Sequence, residues 1–497
     1  MKSIIRMFFA ALLPAVVACT AGFEELNTPP TTFSRVDPGM LLAKAQKEPK
    51  FHQGLEYQNS AYGSWIQHWN SSNNIPMSRY IFARWGWDTY YSALRNVTQI
   101  RNHLLAGQEE LPEARTKLAI ARIVEADIWQ IITDLFGDIP FSESALGEQN
   151  LNPQPKYDTQ ESVYAALIQM VDDAVKQINP SDPSYGSSDL YYGGNAEKWI
   201  KYGHSLKLHL GMRMKYVKPD MAQRVVTEAL NSPLIASNDD NALIKTNTDN
   251  NDSYHPVLRH NQGGSPSNRY LAEALVNFLV SKNDPRLEYI VAPTVNSVKD
   301  GTPAYRGKFV APTDQEMVGI IDDDYSLTGS YFYLAYNQSH PIPYYVFTYS
   351  EICFYKAEAA LEGWAGLTEA QAEGFYQEGI RAAMELEPFN ITEIPQAYMD
   401  AEFSLAGLTK EQKLEKIMTQ KWALLFGRSI DAFAEWRRTG YPRLIPGHNL
   451  GSTNGTIPRR AGYPNDELLL NTKNYEEAVS RMTHGDTYLS RVWWDVR

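Results

Sequence analysis

The chain has 497 residues, 43% of them apolar, and carries 46 basic against 58 acidic side chains for a formal net charge of −12. That apolar share supports a large core and excludes a disordered polymer, and an acidic chain without a basic run repels phosphate, so no nucleic-acid partner is expected. Tyrosine is plentiful at 30 residues, much of it in turn-rich segments, where a flat face with a hydroxyl suits a polar ligand.

Residues 1–18 read as an export signal, with Lys2 and Arg6 ahead of an apolar run from Ile4 to Val17 that is too short to span a bilayer. The run ends Val16-Val17-Ala18-Cys19, which resembles a bacterial lipoprotein signal, although Val stands at both positions before Ala18. Cys19 is therefore the expected lipidation site, and a triacylated terminus gives lasting membrane attachment. Cys353 then has no disulfide partner, and within Ile352-Cys353-Phe354 it reads as a small buried hydrophobe. Residues 19–38 are polar and proline-bearing, a tether, and residues 39–497 are expected to form a single domain. Glu24 and Glu25 resemble the acidic surface-export signals of Bacteroidetes lipoproteins.

Tyr62, Trp65 and Trp69 fit one helical stripe, and Trp87, Tyr91 and Leu94 fit another; both predict core. Between them HWNSSNNIPMSRY reads as a loop, placed at 68–84, and Trp69 and Tyr80 flank it as candidate ligand-binding rings. The strongest helix runs from Pro112 to Asp134, with Leu118, Ala121, Val124, Ile128 and Ile131 at three-four spacing. It closes into DLFGDIPFSES. Asp134, Asp138 and Glu143 there are weighed as catalytic carboxylates, but Asp beside Gly and Pro is more often a cap or turn residue.

Val163, Leu167, Val171, Ala174 and Ile178 predict another helix, as do Trp199, Leu206, Leu210 and Met214. His204 and His209 lie five apart on the latter, so they face different ways and form no metal pair. The polar stretch 238–268 is a second ligand loop. Asp249, Asn251 and Ser253 match the start of a calcium loop, yet the glycine is missing and His260 replaces the closing glutamate, so calcium is unsupported and no cofactor is expected. A helix around Tyr270–Val280 and the segment SKNDPRL follow.

Residues 292–345 lack helical periodicity and form the third ligand loop. Asp322-Asp323-Asp324 could surround a cation, but an acidic run is usually solvated. Tyr331, Tyr333, Tyr336, Asn337 and Tyr344 join Trp69 and Tyr80 as ligand-binding candidates, since helix packing does not explain so many rings there.

SEICFYKAEAALEGW and residues 368–386 return to helix. In QKLEKIMTQKWALLFGRSIDAFAEWRRTGYP, Leu414, Ile417, Leu424 and Leu425 mark one helix, Gly427 breaks it, and Ile430, Phe433 and Trp436 mark a second that ends at Gly440 and Pro442. Trp422 and Trp436 are placed to lock the two together. There is no strict internal repeat, only successive helix–break–helix pairs. The chain contains no GxSxG elbow, Walker loop, GxGxxG, CxxC or HExxH, which tilts it away from catalysis.

DLFGDIPFSES, SKNDPRL, the AEAALEGW helix, WALLFG with EWRRTGYP, and PRRAGYP with WWD occur in that order, and together they resemble the SusD/RagB-like family of nutrient-binding outer-membrane lipoproteins of Bacteroidetes. The resemblance spans most of the chain beyond the leader. It implies a mostly α fold of tetratricopeptide-like helical hairpins with long irregular loops packed on one side. It also implies a lipid-anchored protein of the cell surface that delivers its ligand to a SusC-like TonB-dependent transporter. Loop aromatics favour glycans or oligosaccharides; the alternatives are peptide capture, as in RagB-like members, and a surface glycan-degrading enzyme.

Overall fold

The computed structural model describes residues 36–51, 61–71, 79–80, 86–146, 151–247, 255–256, 269–329 and 341–497. The export signal, the tether and Cys19 lie outside the described residues.

Helices dominate. In chain order the principal ones are α1 (Pro38–Phe51), α2 (Trp87–Gln99), α3 (Pro112–Phe136), α4 (Gln160–Gln177), α5 (Ala196–Arg213), α6 (Pro219–Leu230), α7 (Glu273–Ser281), α8 (Tyr349–Glu362), α9 (Ala372–Met384), α10 (Lys410–Leu424) and α11 (Ser429–Thr439). They pack as successive hairpins: α1 on α2, α3 on α4, α5 on α6, α8 on α9, and α10 on α11. The fold is mostly α, built of helical hairpins as expected.

The ends of these helices are written locally. Pro112 opens α3 because the first turn leaves its missing N–H without consequence, and Gly137 ends it at φ 85°, a conformation that other residues resist. Thr159 and Asn195 cap α4 and α5 through their side chains. Thr348 with Glu351, and Thr409 with Gln412, form reciprocal capping boxes at α8 and α10. Gly440 closes α11 in the left-handed conformation.

Helix α3 lies at the centre: every residue from Ile123 to Phe136 is buried. Its polar groups must therefore find partners inside the protein. Asp134 pairs with Arg213 at 3.1 Å and accepts from Trp494 Nε1 at 2.8 Å, from Tyr164 and from Gln130. Asp138 accepts from the Gln160 amide and from Arg481, and Glu143 from Asn152. The three carboxylates of the DLFGDIPFSES stretch are thus structural.

Among the described residues three two-stranded antiparallel sheets tie the chain down: β1 (Trp69–Ser71), β2 (Ile139–Pro140), β3 (Tyr157–Asp158), β4 (Ala242–Ile244), β5 (Arg269–Leu271) and β6 (Tyr344–Phe347) pair as β1–β5, β2–β3 and β4–β6. Two expectations change here. Trp69 continues no helical stripe but sits on β1 opposite Leu271, and Tyr270 belongs to β5, so the following helix starts only at Glu273. Pairing between distant segments overrides the local period.

The α10–α11 pair forms where expected, with a different lock. Trp422 turns away from α11, donating from Nε1 to the Ile66 carbonyl at 2.9 Å, while Trp436 stacks along its own helix on Phe433. Charge joins the two helices instead, with Lys421 3.4 Å from Glu435. Cys353 is buried, as expected.

Candidate ligand-binding site

The region between β1, β6 and the α10–α11 break collects the aromatic side chains that helix packing leaves over. A recess there is lined by Tyr344 and Tyr345 from β6, Phe389, Phe426, His255 and Arg428. Gly427 permits the break with φ 85°, which throws Phe426 to the end of α10, where it stays half-buried. Trp69 packs against Phe426 with ring centroids 4.5 Å apart at 33°. Behind them His68 donates from Nε2 to the Trp422 carbonyl at 2.9 Å, and burial pushes its pKa down to about 3, so the ring is neutral.

Both arginines at the recess are already committed. Arg428 holds Glu351 at 2.5 Å and Asp431 at 2.9 Å, and Arg286 grips Asp284 with two bonds while reaching Gln420 at 3.2 Å. Burial pushes the Tyr345 phenol up to about 12 and His255 down to about 3, so neither titrates near neutrality. No free acid and base face each other there among the described residues. The recess encloses about 40 Å³, far below the ~150 Å³ that a benzene-sized ring occupies. A sugar would therefore lie across the rings rather than inside the recess, held by stacking and rim hydrogen bonds.

The candidates named from sequence divide into three groups. Tyr344 lines the recess but is 6% exposed, its ring packed edge-on against Phe51 at 5.5 Å. Trp69, 4% exposed, lies behind the recess, packed against Phe426. Tyr80 stands apart: its hydroxyl accepts from the Gly447 amide at 2.9 Å and its ring is buried. Packing accounts for all three rings as they stand. Tyr331, Tyr333, Tyr336 and Asn337 lie outside the described residues.

Sequence reading missed the half-buried Phe389 and Phe426, and it noted Tyr345 only as one ring of the third loop. Only Phe426 carried a usable signal, an aromatic residue immediately before a helix-breaking glycine.

The described part of the third loop expected from sequence is held from within. Lys308, 1% exposed, donates to Asp322 at 2.9 Å and lies over the Tyr270 ring at 4.3 Å. Lys299 answers Asp323 at 3.1 Å, and Asn296 donates to Asp324 at 2.7 Å, so the acidic run is bound by its neighbours.

Residues 30–464 match a family model, SusD-like, described as starch-binding and associating with the outer membrane. A chitin-binding protein of known structure is 30% identical, aligned over 93% of this chain and 100% of its own, with a TM-score of 0.78. A chitin-binding SusD homologue from Flavobacterium johnsoniae is 24% identical over 93% and 99% of the two chains, TM-score 0.76. A SusD homologue from Bacteroides fragilis is 22% identical over 93% and 100%, TM-score 0.77. Among curated proteins no sequence matches.

Proposed function

The chain belongs to the SusD-like family described as starch-binding and associating with the outer membrane, and from that premise we propose that it captures glycans at the cell surface without altering them. It passes them to a SusC-like TonB-dependent transporter and is held to the membrane by lipid on Cys19. The observation that carries this reading is the recess itself. Half-buried Tyr345, Phe389 and Phe426 offer apolar ring faces, while Arg428 and Arg286 beside them are paired within the protein. Such a surface suits the C–H faces of sugars, and no acid–base pair for cleaving them faces it among the described residues. The similar structure at 30% identity is a chitin-binding protein, which supports the glycan class.

On their sequence alone Tyr331, Tyr333, Tyr336 and Asn337 are further ligand-binding residues in this reading, and Trp69 and Tyr344 are the buried support of the recess. The test is calorimetric titration of the soluble chain, truncated after Cys19, with chito- and malto-oligosaccharides and with peptides. Glycan binding weakened tenfold or more by Phe426→Ala or Tyr333→Ala supports the reading. Binding of peptides alone would overturn the glycan class. Failure to co-purify with an outer-membrane TonB-dependent transporter would remove the delivery step.

A further inference from the structure

The recess at Tyr345, Phe389 and Phe426 is too small for a sugar ring, but it has room for a substituent carried by one. Its volume of about 40 Å³ takes about three groups of water size, since each needs ~10–15 Å³ on the same measure. A ring hydroxyl fills one such place and a hydroxymethyl group two. The carbonyl carbon, oxygen and methyl of an acetyl group fill three.

Two hydrogen-bond donors at the wall are without an acceptor. The Tyr345 hydroxyl accepts from the Glu387 amide at 3.0 Å, and its own proton finds no acceptor among the described residues. With the phenol pushed up to about 12, that proton stays in place at neutral pH. Arg286 is 2% exposed; its charge is met by Asp284, with Nε at 2.9 Å and Nη2 at 2.6 Å, and Nη2 also reaches Gln420. Its Nη1 makes no hydrogen bond among the described residues, and unlike the orphaned atoms of the core it is not sealed from solvent. A ligand that covers such donors must bring an acceptor or lose their hydrogen bonds to water. Leu386, Leu424, Phe389 and Phe426 make much of the remaining wall apolar.

Charge narrows the choice further. Around the recess Arg286 and Arg428 stand against Asp284, Glu351, Asp431 and the exposed Glu387, so the balance among the described residues is negative. A substituent ending in carboxylate or sulfate is repelled there. An ammonium, as on a deacetylated amino sugar, brings only donors to a wall that already presents donors. A hydroxyl accepts but leaves most of the volume and the apolar wall unfilled. The acetamido group is neutral, offers a carbonyl oxygen with two lone pairs, and ends in a methyl.

We propose that the recess takes the acetamido group of an N-acetylated sugar, whose ring lies across Phe389 and Phe426, and that this selects N-acetylhexosamine chains over plain hexose chains. The inference rests on the glycan reading above and adds the substrate class to it. The carbonyl oxygen accepts from Tyr345 and Arg286, and the methyl takes the apolar part of the wall.

The experiment titrates the soluble chain, truncated after Cys19, with chitotriose, cellotriose and the N-propionyl analogue of chitotriose. Cellotriose has the same linkage with a hydroxyl in place of each acetamido group, and it should bind tenfold or more weaker than chitotriose. The propionyl group carries one carbon more than the recess holds, so that analogue should bind fivefold or more weaker. Tyr345→Phe keeps the ring and removes only the donor; the ratio of chitotriose to cellotriose affinity should fall to within threefold. A ratio measured on one preparation is unmoved by a fraction of misfolded protein, so a folding defect cannot imitate this result. Chitotriose and cellotriose bound equally well would overturn the acetamido site and leave glycan capture standing. A preference undiminished in Tyr345→Phe, or a propionyl analogue bound as tightly as chitotriose, would overturn the placement of the group in this recess. No binding of any of the three would also overturn the proposal, and the malto-oligosaccharide and peptide titrations above would then decide the glycan reading separately.

Discussion

Arg438 donates to both carboxylate oxygens of Glu358 at 2.7 Å, and neither side chain has any exposure to solvent. The pair joins α11 to α8 and stands in a larger buried network. Arg438 also holds Glu435 at 2.8 Å, Lys215 holds Glu358 at 2.9 Å and Glu362 at 2.7 Å, and Arg213 bridges Glu435 to Asp134 of the central helix. The EWRRTG stretch is therefore a charge clasp at the junction of four helices. Its tie to function is indirect: α11 is carried on the same break that presents Phe426.

Removing one member of such a pair strands a charge in a low-dielectric interior. Arg438→Met is expected to destabilise the fold by about 3–5 kcal/mol in urea denaturation. Adding Glu358→Leu to Arg438→Met should recover part of that loss, because Lys215 retains Glu362. A double variant as unstable as the sum of the singles would show that the two residues act separately.

The same clasp sets acid stability. Burial alone would raise the Glu358 pKa, but Arg438 and Lys215 outweigh it and hold the carboxyl at about 2 instead of its ordinary 4.5. A depressed carboxyl contributes stability above its unfolded pKa and loses it as pH falls from about 4.5 to about 2. The shift corresponds to about 3 kcal/mol. Denaturation midpoints should fall steeply across that window, and Glu358→Gln should be destabilised at neutral pH but flatter below pH 4.5. Equal slopes in both proteins would place the acid lability elsewhere.

Lys421 behaves in the opposite sense. Burial pushes its pKa down to about 8, which Glu435 and Glu351 only partly resist against Arg438 and Arg213. Its ammonium sits 3.3 Å over the Tyr355 ring and makes no hydrogen bond. The unfolded chain therefore binds the extra proton between about pH 8 and 10.5, so this residue makes stability rise with pH across that interval. Lys421→Met should remove the rise and cost little or nothing at pH 7, since Glu435 keeps two arginines. A loss of more than about 2 kcal/mol at pH 7 would mean that the ammonium is a net stabiliser, against the known cost of buried charge.

How far the sequence carries this picture depends on whether the signal is local. Pro112, Thr348 with Glu351, Thr409 with Gln412, and Gly440 each announce a helix end within four residues, and the helices begin and stop there. Trp69 could not be placed that way. Its spacing from Tyr62 and Trp65 fits a helix, and only pairing with a segment two hundred residues away makes it a strand residue. The site suffers for the same reason. Loop tyrosines are visible by composition, but Tyr80 and Tyr344 are spent on distant backbone and ring partners that no window shows. Phe389 and Phe426 face one recess only after α10 has docked on residues 66–68.

The support under that recess has no room to spare. A Cβ added at Gly63 would fall 2.2 Å from Trp69 Cδ1 and 2.9 Å from Ser429 Oγ, and Trp69 is itself pressed against Phe426. Two effects compete in Gly63→Ala. Helix propensity favours alanine by roughly 1 kcal/mol, whereas overpacking a filled site costs about 1–3 kcal/mol. At 2.2 Å an indole ring cannot yield by a few tenths of an ångström, so overpacking wins and the variant is expected to be about 1–2 kcal/mol less stable. Gly374 on α9 is the control: it is exposed and nothing lies within 4 Å of its added Cβ, so Gly374→Ala should gain about 0.5–1 kcal/mol. Urea denaturation of both variants checks the signs. Glycan titration of Gly63→Ala adds the functional readout, since a displaced Trp69 moves Phe426. Binding weakened in Gly63→Ala and unchanged in Gly374→Ala would tie the packing of the support to capture at the recess, whereas binding unchanged in both would confine Trp69 to stability.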